Sequence, residues 1–314
     1  LDSDWPEQLA VRVSRCYYEL GMTQQAIAAE LGMTRSRVIR LLAESRQNGL
    51  VTITIHSPLL ENIELAEQLA EHYSLTRCEV CLSHAEDEQM LARQISSAAC
   101  DFVSRRLEDG VTIGLGWGVT LQAFAERLKP LPLKNASVVA LLGSLTRRSS
   151  MTRFEASTAL AAKLDAECLY LPAPIVCGSV DSRLAIMAQP LFREIHQRAL
   201  QADLALVSIG GLDSSTIRAV GLVNDREVTS VRKCGAIGNF LGYFIDRDAA
   251  IVSHPLNERI IGIDGRTFQG IPERIMISAG ASKVEAMQAV LSQGLLTGLV
   301  TDDSTARALL AYQT

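Results

Sequence analysis

Apolar positions recur at helical spacing in three short segments near the start of the chain, then give way to a long alternation of apolar runs and amphipathic stretches. From about Pro6 to Leu20, the residues Leu9, Val11, Val13 and Tyr17 are placed to feed a small core. A second helix, roughly Thr23 to Leu31, opens on the capping-type residue Thr23 and carries Ile27, Ala28 and Leu31 on one face. The third starts after Thr34, its expected cap, and turns Val38, Leu41 and Leu42 inward before Gly49 ends it. Gly32 lies between the two, where a turn needs φ > 0. Leu50 to Ile55, LVTITI, then alternates apolar and threonine residues as a short strand does.

Thr23 to Asn48 therefore has the spacing of a helix-turn-helix, and the strand expected after it makes a winged variant. Arg35, Ser36, Arg37 and Arg40 occupy the outer face of the third helix near its start, where a recognition helix meets base edges and phosphates. Helix pairs with a turn glycine also occur in proteins that never touch nucleic acid. The basic outer face and the following strand favour double-stranded DNA as the partner. Charge qualifies this: residues 1–56 hold six Arg and six Asp or Glu, so the segment is neutral, and the whole chain nets -5. Phosphate contacts supply much of DNA affinity and are screened by salt, so a single copy binds weakly and a symmetric oligomer is expected.

The 314 residues far exceed a winged helix, and a boundary at residue 56 leaves 57–314 for a second domain. SPLLENIELAEQLAEHY opens it with an amphipathic helix that faces Leu65, Leu69 and Tyr73 inward. RCEVCL, VTIGLGWG, SVVALLG, ECLYLPAP, DLALVSIGG, RIMISAG and GLVTDDSTA are apolar runs separated by helical stretches. This alternation predicts an α/β domain with a mainly parallel sheet covered on both faces. In such sheets ligands gather at the carboxyl ends of the strands.

Four strand-end loops have a ligand-site character. In the first, Gly114 to Thr120, the glycines either let the backbone approach an anion at a helix start or form a tight packing turn. The second runs from Leu142 through Thr146, Arg147 and Arg148 to a helix bearing Glu155; the arginines are either anion ligands or solvated charges. In the third, Gly235 to Asn239, the asparagine either fixes a hydroxyl or caps a helix. The fourth, Ser278 to Lys283, puts a lysine in the first turn of a helix, against the helix dipole, which an anionic ligand or a nearby acid explains better than helix stability does.

Composition narrows the class further. No run of about 18 uncharged apolar residues exists and no basic-then-apolar leader pattern is present, which argues for a soluble cytoplasmic protein. Seven cysteines, an odd number, fit reduced thiols, and Cys78 and Cys81 read as buried thiols on a strand rather than a metal or redox pair. A sugar-phosphate isomerase with an added DNA-binding segment is the alternative, because Glu155 and Asp213 are candidate acid and base groups, but they show no recognisable pairing. The five histidines are scattered.

Six stretches, in order along the chain, are YYELGMTQQAIAAELGMTRSRVIRLL (Tyr17 to Leu42), LGWGVTL (Leu115 to Leu121), YLPAPIV (Tyr170 to Val176), GAIGNFLGYFID (Gly235 to Asp246), SAGASKVEAM (Ser278 to Met287) and LVTDDSTA (Leu299 to Ala306). Through them the sequence resembles the SorC family of sugar-binding bacterial transcriptional regulators over essentially its full length. The resemblance implies a winged-helix DNA-binding domain and an effector domain with a fold like sugar-phosphate isomerases. It also implies homo-oligomers, commonly tetramers, whose operator binding is changed by a phosphorylated sugar or sugar alcohol. No metal, cofactor or catalytic residue is implied. Thr23 and Gln24 would join Thr34, Arg35, Ser36, Arg37 and Arg40 on DNA. Gly116, Trp117, Gly118, Thr120, Glu155, Asn239, Leu241 and Lys283 would line the effector pocket. Many members have Asp where this chain has Asn239, and members that bind a bisphosphorylated sugar can carry Arg at the position of Leu142.

Overall fold

A computed structural model divides the chain into two compact units, Leu1–Ser57 and Pro58–Thr314. It describes residues 5–54, 57, 59–85, 87–144, 156–213 and 221–312.

In the first unit α1 (Trp5–Ser14) runs into a π turn (Arg15–Glu19), followed by α2 (Gln24–Glu30) and α3 (Arg35–Gln47). The Thr23 hydroxyl accepts from the Ala26 N–H at 3.2 Å and the Thr34 hydroxyl from the Arg37 N–H at 3.3 Å, satisfying orphan donors at both helix starts. Gly32 turns the chain between them at φ +62°. Val13, Ile27, Ala28, Val38 and Leu42 make the core. Two expectations fail here. Val11 and Tyr17 are exposed: Val11 is two residues from the buried Val13 and so lies on the other face of α1, and Tyr17 falls in the π turn, which breaks the 3.6-residue repeat. The strand of the wing, Leu50 to Ile55, is also not found: residues 50–54 form no strand and Ile55 lies outside the described residues. An alternating run becomes a strand only against a partner, and among the described residues none pairs with 50–54; Leu50 and Ile53 face solvent.

The second unit opens with α4 (Leu60–His72), which buries Leu65, Leu69 and Tyr73, and then alternates strand with helix. β1 (Arg77–Cys81), α5 (Glu88–Ser104), β2 (Thr112–Leu115), α6 (Val119–Arg127), β3 (Ser137–Ser144), α7 (Ala156–Leu164) and β4 (Glu167–Pro174) form its first half. There follow α8 (Val180–Met187), α9 (Pro190–Leu200), β5 (Leu204–Val207), β6 (Ile209–Gly211), α10 (Asp225–Lys233), β7 (Gly238–Phe240) and β8 (Tyr243–Ile245). The unit ends with α11 (Gly265–Phe268), β9 (Glu273–Ile277), α12 (Val284–Ser292), β10 (Gly298–Asp302) and α13 (Asp303–Ala311).

Seven strands form one parallel sheet in the order β1-β10-β9-β5-β2-β3-β4. Successive residues feed opposite cores: Ala205, Val207 and Met276 enter one apolar layer, Leu204, Leu206, Ile275 and Ile277 the other. Burial on both faces is why these strands read as continuous apolar runs. From β2 the chain winds outward to β3 and β4, returns to β5 beside β2, then winds the other way through β9 and β10. The strand order thus reverses between β2 and β5, where the loops leaving the two carboxyl ends part and open a crevice.

One apolar run does not stay in this sheet. DLALVSIGG splits at Ser208, and β6 leaves to join β7 and β8 in a three-stranded antiparallel sheet. Leu241 and Gly242, both at positive φ (50° and 87°), form the two-residue turn between β7 and β8.

Candidate functional site

A cleft of about 220 Å³ opens at the carboxyl ends of β2 and β5. Gly116, just past β2, donates its N–H to the Leu206 carbonyl of β5 at 2.9 Å, and a Cβ there would lie 3.4 Å from that oxygen. Gly118, at φ +136°, turns the loop into α6, whose first residues Val119 and Thr120 border the cleft. Backbone N–H groups at such a helix start favour a negatively charged group. Ser96 of α5 donates its hydroxyl to the Thr120 carbonyl at 2.8 Å, fixing that first turn. Trp117 lines the cleft and packs against the main core as well as the smaller apolar cluster around Val231 and Phe244.

The opposite wall comes from the small sheet. Asn239 is buried in β7, and its Nδ2 donates to the Gly242 carbonyl at 2.6 Å. The reading of Asn239 as a helix cap is therefore overturned: it stands in a strand and braces the hairpin turn that holds Leu241 at the cleft. Lys283 closes the site. A short 3-10 turn, Ala281–Lys283, precedes α12, so the lysine is the residue before that helix rather than part of its first turn. It is partly buried, and among the described residues its ammonium has neither a hydrogen bond nor an ion pair within 4 Å. Burial holds its pKa below the ordinary lysine value, with the charge of Glu88 acting in the opposite direction.

Gly116, Trp117, Gly118, Thr120, Asn239, Leu241 and Lys283, drawn from three of the four glycine-rich loops, thus border one cleft. Glu155, Arg147 and Arg148 lie outside the described residues. Sequence reasoning missed Glu88 and Gln89 at the start of α5 and Ser208 after β5, which also line it. Asp87 caps α5 through the Met90 N–H at 2.7 Å, a helix-start signal that was available at that point in the sequence. Asp213 does not line the cleft; it pairs with Arg232 at 2.6 Å on the surface. Cys78 and Cys81 are three apart on β1 and point to opposite faces, and burial is the main cause that pushes each thiol up to about 12. No group of three or more metal-ligating side chains exists among the described residues.

In the first unit, Arg35, Ser36, Arg37 and Arg40 are all exposed along α3. Arg35 Nε meets the Gln24 Oε1 at 3.4 Å, linking the starts of α3 and α2, and Arg40 stands 3.7 Å from Glu44. Arg37 has no side-chain partner among the described residues. The face presents forked donors in the pattern that base edges and phosphates accept.

Comparison with known proteins places these features in context. The profile of the Sugar-bind family, described as "Putative sugar-binding domain", matches residues 57–311. The chain is 30% identical over 311 residues to the erythritol catabolism regulatory protein EryD of Brucella abortus, covering 98% of each chain. It is 29% identical over 303 residues to the transcriptional regulator YjhU of Escherichia coli, covering 95% of this chain and 92% of the relative. The full-length sorbitol operon regulator SorC from Klebsiella pneumoniae superimposes with a TM-score of 0.72 at 27% identity, over 96% of this chain and 98% of the other.

Proposed function

This chain belongs to the sugar-binding-domain family of SorC-type transcriptional regulators, and on that premise we propose that it couples operator binding by its first unit to a phosphorylated sugar or sugar alcohol held in the cleft of its second. The single observation that carries the effector reading is the convergence, at the switch point of the sheet, of a glycine-rich helix start, a buried amide and a lysine that has no hydrogen bond or ion pair among the described residues. A phosphate matches the first and last of these: the N–H groups before α6 and the Lys283 ammonium both favour negative charge. The Asn239 amide and the Ser208 hydroxyl supply hydrogen-bonding partners for the hydroxyls of a polyol. Thr23, Gln24, Thr34, Arg35, Ser36, Arg37 and Arg40 form the DNA-reading face, and two or more copies act together on a palindromic operator, most economically as a tetramer. Its place of action is the cytoplasm, where the operator lies.

Binding changes transcription only if the effector favours one arrangement of the paired DNA-binding units over another. Its relatives are named as regulators, which supports reading the protein as a sensor rather than an isomerase. Fluorescence anisotropy on fragments of its own promoter, with and without a panel of sugar phosphates and phosphorylated polyols, tests the reading. Salt-sensitive, sequence-specific binding that one compound changes is the expected result. Absence of specific binding under every condition, or turnover of a sugar phosphate by the purified protein, overturns it.

A further inference from the structure

Glu88 is the charged group in the cleft that the effector reading leaves unused. Its chain position gives no hint of this role, because β1 and the start of α5 come from the far edge of the sheet. Yet Glu88 lines the same cleft as Lys283, and its Oε1 accepts a hydrogen bond from the Ser282 hydroxyl at 2.8 Å, one residue before the lysine. Gly280 stands at φ +114°, and a Cβ there would lie 3.9 Å from the same oxygen, an ordinary van der Waals distance, so the carboxylate sits directly against the loop. Its field favours the charged form of Lys283, against the burial that disfavours it.

We propose that Glu88 is the resident counter-ion of Lys283, occupying in the ligand-free protein the electrostatic place that the effector's anionic group takes, so that it sets a threshold for binding and selects ligands charged enough to displace it. The inference rests on the anionic-effector reading above. A phosphate approaching Lys283 brings negative charge into the cleft that the Glu88 carboxylate also lines, and like charges close together disfavour each other. A neutral sugar brings nothing to balance Lys283 and leaves the Glu88 to Ser282 bond in place. Entry of the anion weakens that bond and frees the start of α5 from the 280 loop. Because Ser96 of α5 also holds the first turn of α6, displacement of one carboxylate reaches two helices that frame the cleft.

Inorganic phosphate is the probe, titrated against the full-length protein by calorimetry at neutral pH with ionic strength held constant by sodium chloride. Glu88→Gln keeps a hydrogen-bond acceptor for Ser282 and removes the charge, and it should bind phosphate about three- to fivefold more tightly than the natural protein, the size expected of one solvent-facing charge acting on another. Ser282→Ala, which releases the carboxylate, should shift affinity the same way by less. Lys283→Ala should lose binding. If Glu88→Gln binds phosphate equally or more weakly while Lys283→Ala loses it, the counter-ion assignment is overturned and the anion site stands; Glu88 is then a ligand for the effector. If neither the natural protein nor Glu88→Gln binds phosphate, or Lys283→Ala binds as well as the natural protein, the anion reading of the cleft fails and the assignment with it.

Discussion

The Lys283 ammonium stands partly withdrawn from water, and burial disfavours its charged form. A lysine whose folded pKa is lowered destabilises the fold wherever it is charged in both states, and the penalty fades as pH rises from the lowered pKa to the ordinary one. Lys283→Met is therefore expected to raise the melting temperature of the ligand-free protein at pH 7 and to abolish stabilisation by phosphate. The difference between the two proteins should narrow as pH is raised through that window; a variant less stable at pH 7 would show that the field of Glu88 outweighs the burial of the ammonium. The placing of this residue was legible in the sequence because a cation beside a helix start is unfavourable unless something anionic attends it. Glu88 was not legible, since its nearness to Lys283 depends on a long-range crossing from β1. Asn239 was legible as a polar residue among glycines, but not as a strand residue, because the turn after it places Leu241, a non-glycine, at positive φ.

At the scale of elements, local spacing served well where the structure is local. The helix pair α2 and α3 needs only Thr23, Thr34, Gly32 and an apolar face, all within 26 residues from Thr23 to Asn48. Arg37 projects from the first turn of α3 without a side-chain partner among the described residues, so Arg37→Ala should leave the fold intact. It should weaken operator binding by about 1 to 3 kcal/mol and relax preference at one base pair, if the fork reads a guanine edge. Anisotropy on single-base operator variants measures both, and an unchanged affinity and base preference would remove Arg37 from the reading face. Elements that depend on a distant partner were less legible. LVTITI has the alternation of a strand and nothing in the described residues to pair with. The run DLALVSIGG looked like one strand and divides at Ser208 between two sheets, because β6 takes its hydrogen bonds from β7, about thirty residues further on. The seven-stranded sheet itself was readable as parallel, but the order that brings β2 beside β5 was not, since periodicity carries no information about which strands are neighbours.

For the whole molecule, the first 56 residues have no net charge and the remainder is acidic, so the protein as a whole does not attract DNA by bulk charge. On the proposed reading, affinity comes from local arginines used in more than one copy. A fragment with a single half-site should consequently bind at least about tenfold more weakly than the full operator. Equal affinities in a competition titration would show that one copy suffices. The chain also carries only two tryptophans, Trp5 in the first unit and Trp117 in the wall of the cleft. Replacing Trp5 with Phe leaves a single indole at the place where the effector would displace water, and its emission should move to the blue as a bound polyol dries that wall. The ring that joins two apolar clusters would thereby be a built-in optical gauge, reporting occupancy of the purified protein in a stopped-flow cell without any added label.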